Sequence, residues 1–575
     1  MVQLQKNASL RWRLIALLAF FFLFGAAIAA RVFTLAIIYH KTYAELAVRQ
    51  NQFSEILPSR RGNIFFQDKF GTFVPAAFDQ PENTIAVSPK LIKDPQTFAK
   101  KLSAIINVPQ EKILAAFGNL NDPYEILMKN VPDDIALKIQ NAKLNGIFLT
   151  PQTKRTYPNA VFASSVLGFT STATTSQKGL YGIERQYDSV LEGETGFFEG
   201  QKDASGFWVA LGKRIVNPPR DGSNIVLTID YNIQMKAESE LEALIKKWSA
   251  ESGSLAIMDP ATGKMLALAS SPSFDPNAYG KEKNYGVFQN PIVESRFELG
   301  SVVKPLTMAA GINEHIITKD TTYVDKGELK FGSYTISNFD NKAHGTQTMT
   351  QVLEQSLNTG AVFVEQLLGK EKFKQYFTAY GLDERTGVDL PSEVSGDMNN
   401  LRSGRDINYA TASFGQGIAL SPIALLDAIA AFANGGIMMK PYAVEKIIDG
   451  SGNEILTKPE TRRSIVSKET ADTITQMLVS AVRNGAESKA GVKGYFIAGK
   501  TGTAQVPNHK TGGYYADRVI HTFVGWGPAF RPKFFIYIQL NRPQGVRFSS
   551  SSISPAFHNL AEFILNYYEI PPDEK

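Results

Sequence analysis

Ser301-Val-Val-Lys304 places a hydroxyl and an amine three residues apart. If Ser301 opens a helix, that spacing puts both side chains on one face and within reach of each other. A serine hydroxyl is a poor nucleophile at neutral pH and needs a neighbour to take its proton. A lysine can do so only when neutral, which requires desolvation or a nearby cation to depress its pKa. Gly300 suits a tight approach, and Pro305 is tolerable within a first helical turn, where its missing N–H costs nothing. A helix N-terminus also offers free N–H groups and positive potential to a carbonyl under attack. The residue types point to acyl transfer through Ser301.

Two further words follow in the chain. Ser356-Leu-Asn358 lies within residues 349–368, where apolar side chains recur at helical spacing around Asn358-Thr-Gly360. The pattern predicts two helical pieces meeting at a short turn, from which Ser356 and Asn358 project. The same residues would serve as caps for the second helix, and capping is compatible with catalysis. Lys500-Thr-Gly-Thr503 follows the apolar run Tyr495-Phe-Ile-Ala498 and reads as a strand. Gly502 would let a ligand approach the backbone, and hydroxyls and N–H groups there can hold a carboxylate. Lys500 is a candidate for the cation that depresses Lys304. Chance alone would supply S-x-x-K about once or twice in a chain this long. The weight therefore rests on the order and on the flanking words Phe297-Glu-Leu-Gly-Ser301 and Ala498-Gly-Lys-Thr-Gly-Thr-Ala504.

Over nearly its whole length the chain resembles the class B penicillin-binding proteins, the monofunctional peptidoglycan D,D-transpeptidases. Arg61-Gly-Asn-Ile64 with Asp68-Lys-Phe-Gly71 is similar to the family's R-G-x-I-x-D-R-x-G word, with one residue inserted. Arg155-Thr-Tyr-Pro158 with Leu167-Gly168, and Gly182-Ile-Glu184 with Tyr187-Asp188, resemble its other N-terminal signatures. Asp221-Gly222 with Leu227-Thr-Ile-Asp230, Ser413-Phe-Gly-Gln-Gly417 with Ser421-Pro422, and Phe523-Val-Gly525 complete the likeness. The resemblance implies that Ser301 attacks the penultimate D-Ala carbonyl of a stem peptide, and that an amine from a neighbouring stem resolves the acyl-enzyme. It implies Lys304 as base, Ser356 as proton relay and Asn358 as a positioning amide. Lys500, Thr501 and Thr503 would bind the substrate carboxylate along the Gly502 backbone, with the N–H groups of Ser301 and Thr503 as oxyanion hole. β-Lactams would acylate the same serine. Glycan polymerisation would come from a polytopic membrane partner, alongside other division proteins.

Composition agrees. A chain of 575 residues with 43% hydrophobic content can hold two or three domains, each with a core. The net charge of +5 is modest and no basic run suggests nucleic acid. With no cysteine, thiol catalysis and disulfides are excluded. The six histidines are scattered without metal-ligand spacing, so neither a metal site nor a cofactor is expected.

Lys6, Arg11 and Arg13 precede the apolar run Leu14 to Ala30, which resumes after Arg31 as far as Ile38. Residues 14–38 are therefore expected to form one uncleaved transmembrane helix, with residues 1–13 in the cytoplasm and the rest outside a bacterial inner membrane. Ala27-Ile-Ala29 offers the competing reading of a cleavage site. Beyond the span, residues 39–215 read as a non-catalytic, dimerisation-type pedestal, 216–225 as a linker and 226–575 as the transpeptidase domain. Tyr231 to Trp248 reads as a helix, Ser254–Met258 and Met265–Ala269 as a hairpin around Asp259–Gly263, and further strands at Phe496–Ile497, His521–Trp526 and Phe534–Leu540 enclose helical stretches. The expected fold is α+β, an antiparallel sheet covered by helices. Ser413-Phe-Gly-Gln-Gly417 is closer to the septal and spore-cortex branch than to the elongation branch. The alternatives are an elongation-type enzyme, a D,D-carboxypeptidase or other β-lactam-binding hydrolase, and a sensor.

Overall fold

The computed structural model describes residues 2–41, 43, 52–57, 59–119, 122, 124–171, 177–201, 215–508, 510 and 512–574. They fall into two compact units, Met1–Ser59 with Gly193–Asp221, and Arg60–Glu192 with Gly222–Lys575. In the first, a helix runs Val2–Phe33 and continues as a π-helical turn, Thr34–Ile38. Trp12–Ile38, 27 residues, is long and apolar enough to cross a membrane, and fits a single-pass anchor. The Thr34 hydroxyl donates to the Ala30 carbonyl at 2.7 Å, which satisfies a polar group inside the apolar run. The same unit holds a three-stranded antiparallel sheet of Gln52–Leu57, Gly196–Gln201 and Ile215–Asn217. The stretch expected to be a linker thus begins inside a strand.

The second unit is built on two sheets. One is antiparallel with five strands, in the order Met265–Ser271, Ser252–Met258, Phe534–Asn541, Tyr514–Gly527, Ala498–Pro507. Its central strands Ser252–Met258 and Phe534–Asn541 are buried almost throughout because helices cover both faces. Alternation sorts the side chains: Leu255, Ile257, Phe523, Ile536 and Ile538 face one core, while Ala256, Met258, Val524, Phe535 and Tyr537 face the other. The first core is closed by the helices Tyr231–Trp248 and Ser554–Tyr567. Asp230 caps the former, accepting from the N–H groups of Asn232 (2.9 Å) and Ile233 (3.1 Å). The second core receives the apolar helix Pro422–Ala433 and the residues flanking Ser301. The hairpin around Asp259–Gly263 and the helix from Tyr231 match the sequence pattern; Phe496 and Ile497 instead precede their strand, which starts at Ala498.

The other sheet is mixed. Glu454–Leu456, Val444–Ile448, Asn224–Asp230, Ile64–Gln67, Phe73–Val87 and Glu125–Val131 lie side by side, with Ile147–Thr156 also on Phe73–Val87. Ile64–Gln67 pairs in parallel with Asn224–Asp230, Ile64 opposite Ile225. Hydrogen bonds therefore run continuously between the N-terminal and C-terminal segments of this unit.

The signature residues of the N-terminal half converge on one buried carboxylate. Glu184 accepts from Arg61 Nε (2.8 Å), Arg155 Nε (2.7 Å) and the Tyr157 hydroxyl (3.1 Å). Arg61 also reaches Asp188 at 2.8 Å, and Arg155 reaches Asp79 at 3.2 Å. Burial pushes the Glu184 carboxyl up, but the two guanidinium groups outweigh it and hold it below its usual range. Removing one partner of such a group leaves the others charged and dry. Glu184→Gln is expected to destabilise the protein by about 3–5 kcal/mol, measured by urea unfolding of the detergent-solubilised chain. A loss below about 1 kcal/mol would mean that these pairs behave like exposed ones.

Candidate active site

Ser301 sits in a 3-10 turn, Gly300–Val303, that leads directly into the helix Lys304–Asn313. The Lys304 N–H donates to the Ser301 carbonyl, and Pro305 occupies the first turn as expected. Gly300 has φ +67°, a conformation open to glycine at little cost. Its N–H donates to the Gly415 carbonyl (3.1 Å), and Thr307 Oγ1 donates to the Ser413 carbonyl (2.7 Å). The 413–417 segment thereby props the Ser301 turn from behind.

Lys304 is wholly buried. Its Nζ donates to the Ser356 carbonyl at 2.5 Å and to Ser356 Oγ at 3.3 Å. Burial holds this ammonium well below the usual lysine range; the charge of Lys500 lowers it further, while Glu487 acts in the opposite direction. Ser356 itself has φ +55°, rare for a residue with a side chain, in the turn joining Met349–Glu354 to Asn358–Leu368. That backbone setting aims both oxygens of Ser356 at one amine.

Asn358 opens the second helix. Its N–H donates to Asn338 Oδ1 (3.0 Å) and its Nδ2 to the Ser337 carbonyl (2.9 Å). Asn338 in turn donates to Asp325 Oδ2 (2.8 Å), and Thr359 Oγ1 donates to Asp325 Oδ1 (2.7 Å). Asp325 also accepts from the N–H groups of Gly327 (3.0 Å) and His344 (2.9 Å). These donors outweigh burial and keep its carboxyl below the ordinary range.

Ala498–Pro507 is the edge strand of the five-stranded sheet, with Lys500 opposite Val524 and Thr503 opposite His521. It crosses the Ser301 turn closely. A Cβ at Gly502 would lie 2.5 Å from the Leu299 carbonyl and 2.3 Å from Thr522 Oγ1, which itself donates to Leu299 O at 2.9 Å. Lys500 is fully buried and bonds Glu487 Oε1. Thr501, also buried, donates to that same oxygen from its N–H (3.1 Å) and its Oγ1 (2.7 Å). Thr503 is exposed and shares hydrogen bonds with Ser549, Oγ to Oγ at 3.1 Å. Its side chain remains accessible to an anion; the single hydroxyl proton of Thr501 is directed inward.

A penicillin binding protein transpeptidase domain matches residues 253–562, and a penicillin-binding protein dimerisation domain matches 56–227. The chain belongs to the penicillin-binding protein transpeptidase family. It is 30% identical over 563 residues to stage V sporulation protein D of Bacillus subtilis, covering 96% of this chain and 85% of the relative. It is 28% identical over 515 residues to peptidoglycan D,D-transpeptidase FtsI of Escherichia coli K12, covering 87% and 83%. Among solved structures, penicillin binding protein 2X of Streptococcus thermophilus shares the fold at a TM-score of 0.77 and 23% identity, over 89% and 80% of the two chains. The pairing of the two domain types makes this a class B penicillin-binding protein.

In this penicillin-binding protein the three sequence words do come together: Lys304 touches Ser356, the Gly502 strand crosses the Ser301 turn, and Asn358 adjoins Ser356. Sequence reasoning missed Glu487, Asp325 and Asn338. No motif surrounds them: Glu487 lies in a turn, Asp325 ends the strand Thr322–Asp325 and Asn338 follows the strand Tyr334–Ser337. Asn338→Ala removes the acceptor for Asn358 and a donor to Asp325 while leaving every motif residue in place. The expected result is penicillin acylation slowed about tenfold, the equivalent of one lost hydrogen bond, with fold retained by circular dichroism. A rate equal to the parent's would show that Asn358 holds its position without Asn338.

Proposed function

We propose that this chain is a serine-type peptidoglycan D,D-transpeptidase that cross-links stem peptides during cell-wall synthesis. The observation that carries the reading is a buried Lys304, hydrogen-bonded to Ser356 and one short turn from Ser301. Neutral Lys304 takes the Ser301 proton as Oγ adds to the penultimate D-Ala carbonyl. The N–H groups of Ser301 and Thr503 receive the oxyanion. When the tetrahedral intermediate collapses, the proton passes from Lys304 through Ser356 to the leaving nitrogen, and free D-Ala departs. An acceptor amine then attacks the ester, loses its proton along the reverse route, and releases Ser301. Asn358 steadies the peptide amide, and Thr503 receives the terminal carboxylate beside Lys500 and Thr501. A β-lactam follows the first half of this path and stalls as the acyl-enzyme.

The same reading places the Trp12–Ile38 helix across the bacterial cytoplasmic membrane, with Lys6, Arg11 and Arg13 inside and the catalytic unit outside. Residues 39–215 act as pedestal and 226–575 as the transpeptidase domain. The wording Ser413-Phe-Gly-Gln-Gly417 and the likeness to stage V sporulation protein D and to peptidoglycan D,D-transpeptidase FtsI support a septal role. A polytopic glycan polymerase and other division proteins would be its partners.

Fluorescent penicillin should label the detergent-solubilised protein at Ser301, and Ser301→Ala should abolish labelling; an adduct mapped by mass spectrometry to another residue would overturn the assignment. The base has a separate test. Arginine keeps the charge of Lys304 but cannot give up its proton near neutral pH. Lys304→Arg should therefore slow acylation by at least about two orders of magnitude, read by stopped flow alongside thermal melting. A normally melting variant within a few-fold of the parent would remove Lys304 from that role.

A further inference from the structure

Glu487 lies in the turn between the helix Lys468–Asn484 and the edge strand, with no exposed surface. A buried carboxylate is costly unless paired, and this one gathers three donors on a single oxygen. They are the Lys500 ammonium, the Thr501 N–H and the Thr501 hydroxyl. Its other oxygen, Oε2, is buried with no hydrogen-bond partner among the described residues. A negative charge thus stands beside the very cation expected to act on Lys304.

We propose that Glu487 is a positioning residue for acylation: by holding Lys500 it sets how much of that cation's field reaches Lys304, and so the pH at which Lys304 becomes a base. The proposal rests on the reading of the site given above. Lys500 and Glu487 act on Lys304 in opposite directions, the first lowering its pKa and the second raising it. The remaining elements around Lys304 bring groups that answer to other partners. The turn at Ser356 contributes a carbonyl and a hydroxyl. Glu354, on the helix before that turn, accepts from Ser480 of the Lys468–Asn484 helix. Glu365, on the helix after it, is pushed up to about 7 by burial, with Asp406 and Lys370 as its charged neighbours. His521, opposite Thr503, is pushed down to about 4 by burial and stays neutral over the working range. All of these are shared by parent and variant, so a difference between the two profiles isolates Glu487.

Glu487→Gln preserves shape and an acceptor oxygen for Thr501 but removes the charge. Lys304 would then face Lys500 unopposed and lose its proton at lower pH. The experiment measures the second-order acylation rate with a penicillin reporter from about pH 5 to pH 10, on the full detergent-solubilised chain, with melting curves. The acidic limb should move down by about one pH unit in Glu487→Gln. Glu487→Asp keeps the charge but withdraws it by one methylene, and its limb should fall between the two. Should the glutamine variant melt too low for assay, the aspartate variant decides alone: a limb coincident with the parent's, or higher, overturns the proposal. Coincident limbs in folded Gln and Asp variants overturn it as well. A parent that penicillin does not acylate at all would instead overturn the reading of the site.

Discussion

An amine that must be dry is the constraint on which this site depends. In water Lys304 would carry a proton and could not serve as the proposed base; enclosed, its charged form lacks solvation and the neutral form is favoured. Everything close to it contributes to that enclosure. The edge strand lies against the Ser301 turn because Gly502 has no side chain to hold them apart. Thr522 fastens that contact through the Leu299 carbonyl, and the 413–417 segment closes the rear. Ser356 adopts a backbone conformation that side chains disfavour, and in exchange gives the amine its only carbonyl and hydroxyl contacts among the described residues. Strain at one residue is small beside the cost of a wrongly solvated base.

Charge is arranged in depth around that amine. Lys500 and Glu487 form a compensated pair on the strand side, while the polar network of Asp325, Asn338 and Thr359 anchors the opposite side. Lys500 belongs to a motif, but Glu487, Asp325 and Asn338 do not: they come from a turn, the end of the strand Thr322–Asp325 and the residue after Tyr334–Ser337, so geometry rather than local pattern specifies them. Burial makes each intolerant of losing a partner, since an orphaned donor or charge there has no water to turn to.

Much of the proposed catalytic face was legible in the sequence because its residues are close along the chain. Ser301 and Lys304 share one helical turn, and Ser356 and Asn358 share one loop, so spacing alone predicts their proximity. The helix Tyr231–Trp248 was readable from its apolar stripe, whose members Ile233, Ala237, Leu241 and Leu244 are all buried. What remained hidden is non-local. Nothing near Ile64 announces a strand partner at Ile225, some 160 residues on, yet that pairing joins the N-terminal segment to a strand that starts within the expected linker. Glu487 reads as a surface glutamate until Lys500 is seen beside it. Phe496 and Ile497 looked like strand because they are apolar; the ladder begins at Ala498, and Phe496 packs instead against Phe530.

The mixed sheet has a consequence for biogenesis. Ile64–Gln67 has one neighbour nearby in sequence, Phe73–Val87, and another, Asn224–Asp230, that is synthesised much later. The early hairpin can form as the chain emerges, leaving one side of Ile64–Gln67 open: an unpaired edge carrying Ile64 and Phe66, both fully buried in the finished protein. Until Asn224–Asp230 arrives, that edge is a place where nascent copies can pair with one another. Long-range closure of this kind is slow relative to local structure. Holdase chaperones that shield the N-terminal half during this interval should therefore govern the yield of folded protein more strongly than they govern its final stability.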